Sequence, residues 1–242
     1  MTPSALSAAV KAVAISRPLS GTANNNQPKR KHMLTFYDYQ DAPSPRRARI
    51  FLAEKGVQAK VVEVDLKKGE QMSEAFRAIN PRCAVPALAT EDGQVISENL
   101  AIAAYIEERF PDTPLMGTTP FERAMVLEWN WRCEFEGLAA VAEILRNTSP
   151  HMKGRAMTGP RNIEQLPKLA ERGRIRLNYF WEDLNTQLET HEYVAGETYS
   201  FADITALVGV DFSAWVKATP DKSLSAIWEW HAKASARPAS KL

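Results

Sequence analysis

Residues 80–99 read NPRCAVPALATEDGQVISEN, and this stretch decides which kind of sheet the chain builds. Two short β-prone runs, Pro86–Leu88 and Val95–Ile96, flank the turn-forming residues Glu91-Asp92-Gly93, which predicts an antiparallel hairpin. Apolar residues at helical spacing then predict an amphipathic helix over Asn99–Phe110. The stretch therefore predicts a hairpin whose second strand leads directly into a helix.

Upstream of the hairpin, the chain alternates between strand and helix. Leu34–Tyr37 and Lys60–Val64 are short β-prone runs that predict two further strands. Between them lies a helical pattern, with Pro45 suited to its first position and Gly56 to its C-cap. A second, short helix is predicted over Ser73–Ile79, with the serine as its N-cap.

The resulting order is β-α-β-α-β-β-α, which is the arrangement of a thioredoxin-like domain. A strand–helix–strand unit implies a parallel pair, and the hairpin adds antiparallel strands to the same sheet. We place this α/β domain at residues 33–112 and an all-helical domain at residues 120–242, joined by a linker rich in Pro, Thr and Gly. Helical spacing predicts these helices in the second domain: Phe121–Arg146, Lys168–Thr190, Ala202–Val216 and Leu224–Ala234.

The composition argues against several classes of protein. The 242 residues carry a net charge of +1, so the molecule has no electrostatic bias towards nucleic acid or membranes. No apolar run in the sequence approaches the length of a membrane-spanning helix. Cys83 and Cys133 are far apart and form no CxxC or Cys/His cluster, which favours a reducing compartment. We expect no metal, no nucleic-acid partner and no membrane partner.

Residues 1–32 differ in composition from the rest of the chain. They are rich in Ala, Ser, Asn and Pro, and the first acidic residue of the sequence is Asp38. We favour a disordered, dispensable tail, or an upstream start codon with Met33 as the first residue of the protein. An organelle transit peptide remains the alternative, because such peptides are basic, rich in Ser and poor in acids.

Four segments, in order, resemble the soluble glutathione transferase family. They are residues 42–49 (APSPRRAR), residues 80–88 (NPRCAVPAL), Ser97-Glu98-Asn99, and residues 199–205 (YSFADIT). The resemblance runs from Met33 to the C-terminus and is nearest to the theta-like bacterial and atypical fungal branch. It implies glutathione as co-substrate, a small apolar electrophile as second substrate, a role in detoxification and a cytoplasmic location. It also implies a homodimer with its interface on the two helices that follow the hairpin.

The resemblance also assigns residues that bind glutathione. Val85-Pro86 matches the family's cis proline, which aims the backbone N–H and C=O of Val85 at the cysteinyl part of glutathione. Glu98 suits the ammonium of the γ-glutamyl end, and Asn99 with the helix N-terminus suits its carboxylate. The family usually has Ser at the position of Asn99. From the residues alone, a trans turn proline and a plain helix start stay open.

The glycine carboxylate of glutathione needs a donor or a cation. Theta-like members supply it at a position that matches Gln71, and Lys68 is a nearby alternative. Both side chains are equally consistent with ordinary solvated loop residues. Cys83 and Ala84 stand where relatives often have a basic residue, which leaves this carboxylate with fewer candidate partners.

The reaction needs the thiol of glutathione as thiolate, because the thiolate is the nucleophile. A helix N-terminus and a nearby hydroxyl donor both lower the pKa of a thiol. The resemblance places the family's catalytic serine on Ala42, so Ser44 is the nearest hydroxyl and our candidate catalytic residue. An N-cap role for Ser44 remains equally open, and Tyr39 is the other candidate hydroxyl. Tyr37 and Cys83 are expected to be structural.

The second substrate is expected between the two domains, beside the first helix and the first long helix of the second domain. The apolar groups available there are Trp129, Trp131, Phe135 and Leu138; we expect most of them in the core, because a helix can turn only some of these side chains towards the cleft. Two other functions stay open. A non-catalytic glutathione- or ligand-binding protein is favoured by the missing hydroxyl at Ala42, and a glutathione-dependent peroxidase or lyase would use the same thiolate.

Overall fold

The computed structural model describes residues 33–242. The first part of these residues contains a four-stranded mixed sheet. The strands are β1 (Thr35–Asp38), β2 (Lys60–Glu63), β3 (Ala87–Ala89) and β4 (Val95–Ser97), in the spatial order β2-β1-β3-β4. β1 and β2 are parallel, whereas the β1–β3 and β3–β4 pairs are antiparallel. The predicted hairpin and the thioredoxin-like arrangement are confirmed. The expectations for residues 1–32 lie outside the described part of the chain.

The helices of this first part are α1 (Pro43–Glu54), α2 (Glu74–Ile79) and α3 (Asn99–Arg109). α1 begins two residues earlier than predicted, at Pro43 instead of Pro45, and its N-cap is Ala42. Both prolines fit because the first turn of a helix leaves its N–H groups without intrahelical partners.

The ends of α1 and α2 follow ordinary capping chemistry. Gly56 comes directly after the C-cap of α1 and has φ +65°, a left-handed conformation that glycine adopts without steric cost. Ser73 caps α2 as predicted, because its side chain accepts a hydrogen bond from the N–H of Phe76 at 3.2 Å.

The second part of the chain is helical. Its α-helices are α4 (Pro120–Arg132), α5 (Ala139–Thr148), α6 (Pro167–Leu188), α7 (Phe201–Ser213) and α8 (Ser225–Ser235). The single helix predicted over Phe121–Arg146 is instead α4 and α5 joined by a π-helical turn, Cys133–Leu138. A Cβ added at Gly137 would lie 2.8 Å from the ring of Phe180, so glycine lets this turn pack closely against α6. No helix within residues 33–242 is long and apolar enough to cross a membrane.

One hydrophobic core continues from the sheet and α1 into the helical part. The rings of Phe51 on α1 and Phe201 on α7 meet edge to face, with centroids 5.3 Å apart. Alternate residues of β1 point to opposite faces of the sheet. Phe36 therefore joins this core, whereas Tyr37 packs on the other face against Phe76 of α2, as expected for a structural tyrosine.

α7 begins with the capping box that the sequence predicts at Ser200–Asp203. The carboxylate of Asp203 is fully buried and accepts hydrogen bonds from the N–H of Val194, the N–H and hydroxyl of Ser200 and the indole of Trp230. Burial raises the pKa of Asp203 to about 6, although these hydrogen bonds act in the opposite direction. At neutral pH the carboxylate therefore ties α8 and the loop before α7 to the helix N-terminus.

Asp203→Asn tests this buried acceptor. An amide keeps one acceptor oxygen but turns an NH₂ group towards the donors, so we expect the free energy of unfolding to fall by about 2–4 kcal/mol. Urea denaturation at pH 7 measures it. Asp221→Asn, in an exposed turn where Asp221 accepts from Ser223, is the matched control and should leave the midpoint nearly unchanged. An equal loss of unfolding free energy in the two variants would contradict the anchoring role of the Asp203 carboxylate.

Candidate active site

The N-termini of α1 and α3 meet beside the sheet. Ser44 is the second residue of α1 and Asn99 the first of α3, and Asn99 Nδ2 donates a hydrogen bond to Ser44 Oγ at 3.0 Å. The N-cap of α1 is Ala42, which forms no side-chain cap, so the N-cap interpretation of Ser44 is wrong. The hydroxyl instead links two helix N-termini.

Ser44 is also the main donor at the start of α1. Pro43 and Pro45, on either side of it, have no N–H group. Within residues 33–242, neither the N–H nor the hydroxyl hydrogen of Ser44 is donated to another group. Because a helix N-terminus carries a partial positive charge, these two donors form a place where an anion is stabilised.

The Val85–Pro86 peptide bond is cis, as the resemblance implies. It lies immediately before β3, and neither the N–H nor the C=O of Val85 forms a backbone hydrogen bond within the described chain. The Val85 side chain is buried in a small cluster with Val64 and Phe76, against which Tyr39 packs. The backbone of Val85 is therefore a fixed and unpaired edge on which an extended peptide could add.

Glu98 precedes α3 in a left-handed conformation, with φ +77°, which is uncommon for a residue other than glycine. Its carboxylate is exposed and lies 3.2 Å from the exposed guanidinium of Arg82. An exposed ion pair of this kind contributes little stability. The carboxylate is therefore accessible to the ammonium group of a ligand.

Two buried amide oxygens in this region have no hydrogen-bond partner among the described residues. They are Asn99 Oδ1 and Gln71 Oε1, the latter in a 3₁₀ turn at Glu70–Met72. Of the predicted site residues, Asn99 and Ser44 are joined by a hydrogen bond. Gln71 forms no hydrogen bond with either of them. The alternative Lys68 pairs with Asp65 at the surface.

The remaining candidate nucleophiles and hydroxyls are engaged elsewhere. The Tyr39 hydroxyl donates to Asp41 Oδ2 at 3.4 Å in the exposed loop before α1. Cys83 is buried, with its Sγ 3.7 Å from the carbonyl oxygen of Pro81. Cys133 is buried in the π-helical turn, and burial raises the pKa of its thiol well above the ordinary value. Both cysteines are therefore buried away from the surface.

A cavity of about 190 Å³ opens directly before Ser44. One wall is the loop at residues 40–43 with Arg46, and the other is the end of α7 and the turn after it, with Val208, Asp211, Phe212 and Trp215. We did not predict this second wall from the sequence. The sequence offers one clue to this wall: Val208 and Phe212 are apolar and four residues apart, and the aromatic Trp215 follows them near the end of the helix.

None of the four apolar groups that we considered for the cleft lines this cavity. Trp129 and Leu138 are buried in the core, and neither lines this cavity. Trp131 and Phe135 are exposed and stack on each other with centroids 5.0 Å apart, and Arg176 of α6 lies 4.9 Å from the Phe135 ring. Trp131 belongs to α4 and Phe135 to the π-helical turn. Helical spacing put both residues in one predicted helix but could not say what their side chains contact.

Charged groups hold the two walls of the cavity together. Arg46 donates to Asp211 Oδ2 at 2.6 Å and to the carbonyl oxygen of Ser240 at 3.0 Å. His231 Nε2 on α8 donates to Asp211 Oδ1 at 2.7 Å. Partial burial favours the neutral carboxyl, but the hydrogen bonds from His231 and Arg46 outweigh it and hold the pKa of Asp211 below its ordinary value.

Comparison with known proteins agrees with this geometry. A family model described as "Glutathione S-transferase, N-terminal domain" matches residues 42–109. Glutathione S-transferase 2 of Saccharomyces cerevisiae is 33% identical over 219 residues, which are 90% of this chain and 92% of the relative.

Two solved structures extend the likeness to the helical part. The crystal structure of Gtt2 from Saccharomyces cerevisiae has 32% identity and a TM-score of 0.78, and the match covers 86% of this chain and 98% of that one. A glutathione S-transferase domain-containing protein from Marinobacter aquaeolei VT8 has 32% identity and a TM-score of 0.79, and the match covers 85% of this chain and 99% of that one. With its thioredoxin-like sheet followed by helices, the chain belongs to the soluble glutathione S-transferase family.

Proposed function

We propose that this protein is a transferase that conjugates the thiolate of glutathione to small apolar electrophiles. The observation that carries the proposal is the pair of free donors on Ser44, at the N-terminus of α1 and directly after residues 40–43, which line the cavity. Donors at a helix N-terminus favour the thiolate over the thiol, and the cavity offers the adjacent volume for a second substrate.

Glutathione is placed by four contacts in this proposal. The backbone of Val85, before Pro86, pairs with the cysteinyl part, and Glu98 takes the γ-glutamyl ammonium. Asn99 uses its second amide hydrogen, with the α3 N-terminus, for the γ-glutamyl carboxylate. Gln71 Nε2 takes the glycine carboxylate. Residues 33–112 are then the glutathione-binding domain and residues 120–242 the second-substrate domain.

The chemistry is a substitution. The thiol proton leaves to solvent, the sulfur forms a bond to the electrophilic carbon, and the leaving group departs with the electrons of the broken bond. Asn99 Nδ2 donates a hydrogen bond to a lone pair of the Ser44 oxygen. The hydroxyl hydrogen of Ser44 is therefore available to donate to the sulfur. Turnover of a hydroperoxide but not of an aryl chloride would favour the peroxidase alternative. Glutathione binding without turnover would favour the carrier alternative.

Glu98→Ala should weaken glutathione binding about 10–100-fold, because a charge-assisted hydrogen bond is lost. Calorimetric titration at pH 7 measures the Kd. Glu108→Ala, an exposed position near the other end of α3, is the control and should bind like the unchanged protein. Equal affinity in both variants, with equal melting temperatures, would remove Glu98 from the site.

Ser44→Ala should raise the pKa of bound glutathione and lower kcat/KM below pH 7 by up to about 100-fold. The loss should shrink as the pH rises, because the thiolate then forms without help. The melting temperature should also fall modestly, because the buried amide of Asn99 loses the hydroxyl that accepts from its Nδ2, so the shift of the pH–rate profile is the decisive readout. An unshifted pH–rate profile would move thiol activation to the N-terminus of α1 or to Tyr39.

We also propose a homodimer, with an interface on α3 and α4. Leu127, Trp131 and Phe135 are exposed at intervals of four residues and so form one apolar stripe, and Leu100 of α3 is exposed as well. Trp131→Glu should shift the mass measured by light scattering at micromolar concentration from dimer to monomer. Trp215→Glu, also at an exposed tryptophan, should remain dimeric. A monomeric unmodified protein would refute the proposal.

A further inference from the structure

We propose that Asn99 is a positioning residue for Ser44, because its buried amide turns the hydroxyl hydrogen of Ser44 towards the sulfur of bound glutathione. This inference rests on the proposed transferase function and adds to it. In that function Asn99 contacts the γ-glutamyl carboxylate, which is a matter of binding. The same side chain also decides whether Ser44 can donate to the thiolate, which is a matter of reactivity.

Ser44 lies between a buried amide and the accessible side of the site. Asn99, the first residue of α3, is only 2% exposed, whereas Ser44 on α1 is half-buried. Asn99 Nδ2 approaches Ser44 Oγ to 3.0 Å. An amide NH₂ group only donates, so it takes a lone pair of the hydroxyl oxygen and leaves the hydroxyl hydrogen to point elsewhere. Within residues 33–242 that hydrogen is donated to no other group, so it is free to point to the side that a ligand reaches.

The amide of Asn99 forms no other hydrogen bond in the part of the chain that the structure describes. Its Nδ2 has Ser44 as its one partner there, and its buried Oδ1 has none. A buried acceptor without a partner is unfavourable for folding, and such groups in proteins call for a functional explanation. An amide kept in this state, with a hydroxyl as its partner, is better suited to orienting that hydroxyl than to stabilising the fold.

The direction of this hydrogen bond matters because the opposite direction would remove the donor. If the two ends of the amide were exchanged, its oxygen would accept the hydroxyl hydrogen of Ser44 and none would remain for the sulfur. The N-terminus of α3 favours an anion such as the γ-glutamyl carboxylate, and an anion needs donors around it. An NH₂ group serves both the carboxylate and Ser44, whereas the amide oxygen would repel the carboxylate. Binding of the γ-glutamyl group therefore holds Asn99 in the orientation that frees the Ser44 hydrogen.

The residue types at two positions fit this role. The resemblance places the family's catalytic serine on Ala42 and its second, usual serine on Asn99, and this chain has neither. Its hydroxyl stands two residues further on, at Ser44. The side chain of Asn is one bond longer than that of Ser, and its NH₂ group only donates, whereas a hydroxyl either donates or accepts. Asn99 thus reaches from α3 to α1 and imposes the direction of the bond, so the two departures from the family form one coupled change.

No bond to Asn99 forms or breaks in this scheme. The thiol proton passes to solvent, Ser44 keeps its hydrogen and shares it with the thiolate as a hydrogen bond, and Asn99 keeps both amide hydrogens. Without the amide, the Ser44 hydroxyl can rotate away, and the thiolate then loses part of its stabilisation. The loss should therefore appear in the pKa of the bound thiol and not only in the affinity for glutathione.

A double-mutant cycle on Asn99 and Ser44 tests the proposal. We would follow the ultraviolet absorbance of the thiolate against pH at saturating glutathione, so that weaker binding does not enter the result. Asn99→Ser keeps a hydroxyl for the γ-glutamyl carboxylate but shortens the side chain. It should raise the pKa of the bound thiol by about 1, which is a tenfold smaller thiolate fraction below that pKa. Ser44→Ala should raise the pKa at least as much, and the double variant no further than Ser44→Ala alone.

Two further variants separate positioning from other effects. Asn185→Ser is the matched control, because Asn185 is also buried and its amide is also hydrogen-bonded, to Glu189 and to the N–H of Ile227. It should lower the melting temperature and leave the pKa of the bound thiol unchanged. Asn99→Asp presents only acceptors to Ser44 and captures its hydrogen. It should raise the pKa of the bound thiol more in the unchanged protein than in Ser44→Ala, where there is no hydrogen to capture.

The outcomes distinguish this inference from the proposed function. An unchanged thiol pKa in Asn99→Ser, or shifts of Asn99→Ser and Ser44→Ala that add in the double variant, would overturn the positioning role. Conjugation of an aryl chloride, an epoxide and an isothiocyanate by the unchanged protein tests the transferase separately. Conjugation together with additive shifts would support the transferase and refute the positioning role. Coupled shifts without conjugation of any of the three would support the positioning role and refute the transferase.

Discussion

The whole site depends on how α1 is held between the sheet and the helical part. Three of its arginines form ion pairs in three different directions. The pairs are Arg46 with Asp211 of α7, Arg47 with Glu134 of the π-helical turn, and Arg49 with Asp38 of β1. These groups are largely or partly withdrawn from water, so breaking one partner leaves a charge that is costly to bury. The start of α1 is thereby fixed relative to both walls of the cavity.

Apolar packing sets the same geometry from the other end of α1. The contact between Phe51 and Phe201 joins α1 to the start of α7, which the buried carboxylate of Asp203 anchors. α1 and α7 therefore touch along their length, and the end of α7 reaches the start of α1. The cavity is a consequence of how these two helices pack.

Much of the fold could be predicted because it depends on local chemistry. The turn at Glu91-Asp92-Gly93 and the capping box at Ser200–Asp203 use residues with strong conformational preferences. The start of α1 could not be placed, since both Pro43 and Pro45 suit a first turn, and its N-cap has no capping side chain. The α7 wall was missed for another reason. Periodicity identifies the faces of a helix, but which face borders a cleft depends on tertiary packing. For the same reason the sequence could not tell which of Trp129, Trp131, Phe135 and Leu138 would face the cleft.

We propose that the donors at the start of α1 stabilise the thiolate of bound glutathione. Ultraviolet absorbance of the thiolate, followed against pH in the complex of protein and glutathione, measures the pKa of that thiol directly. We predict a pKa clearly below that of free glutathione, because a helix N-terminus and the hydroxyl of Ser44 favour the anion. The same pKa for free and bound glutathione would contradict it, whatever the rate of conjugation.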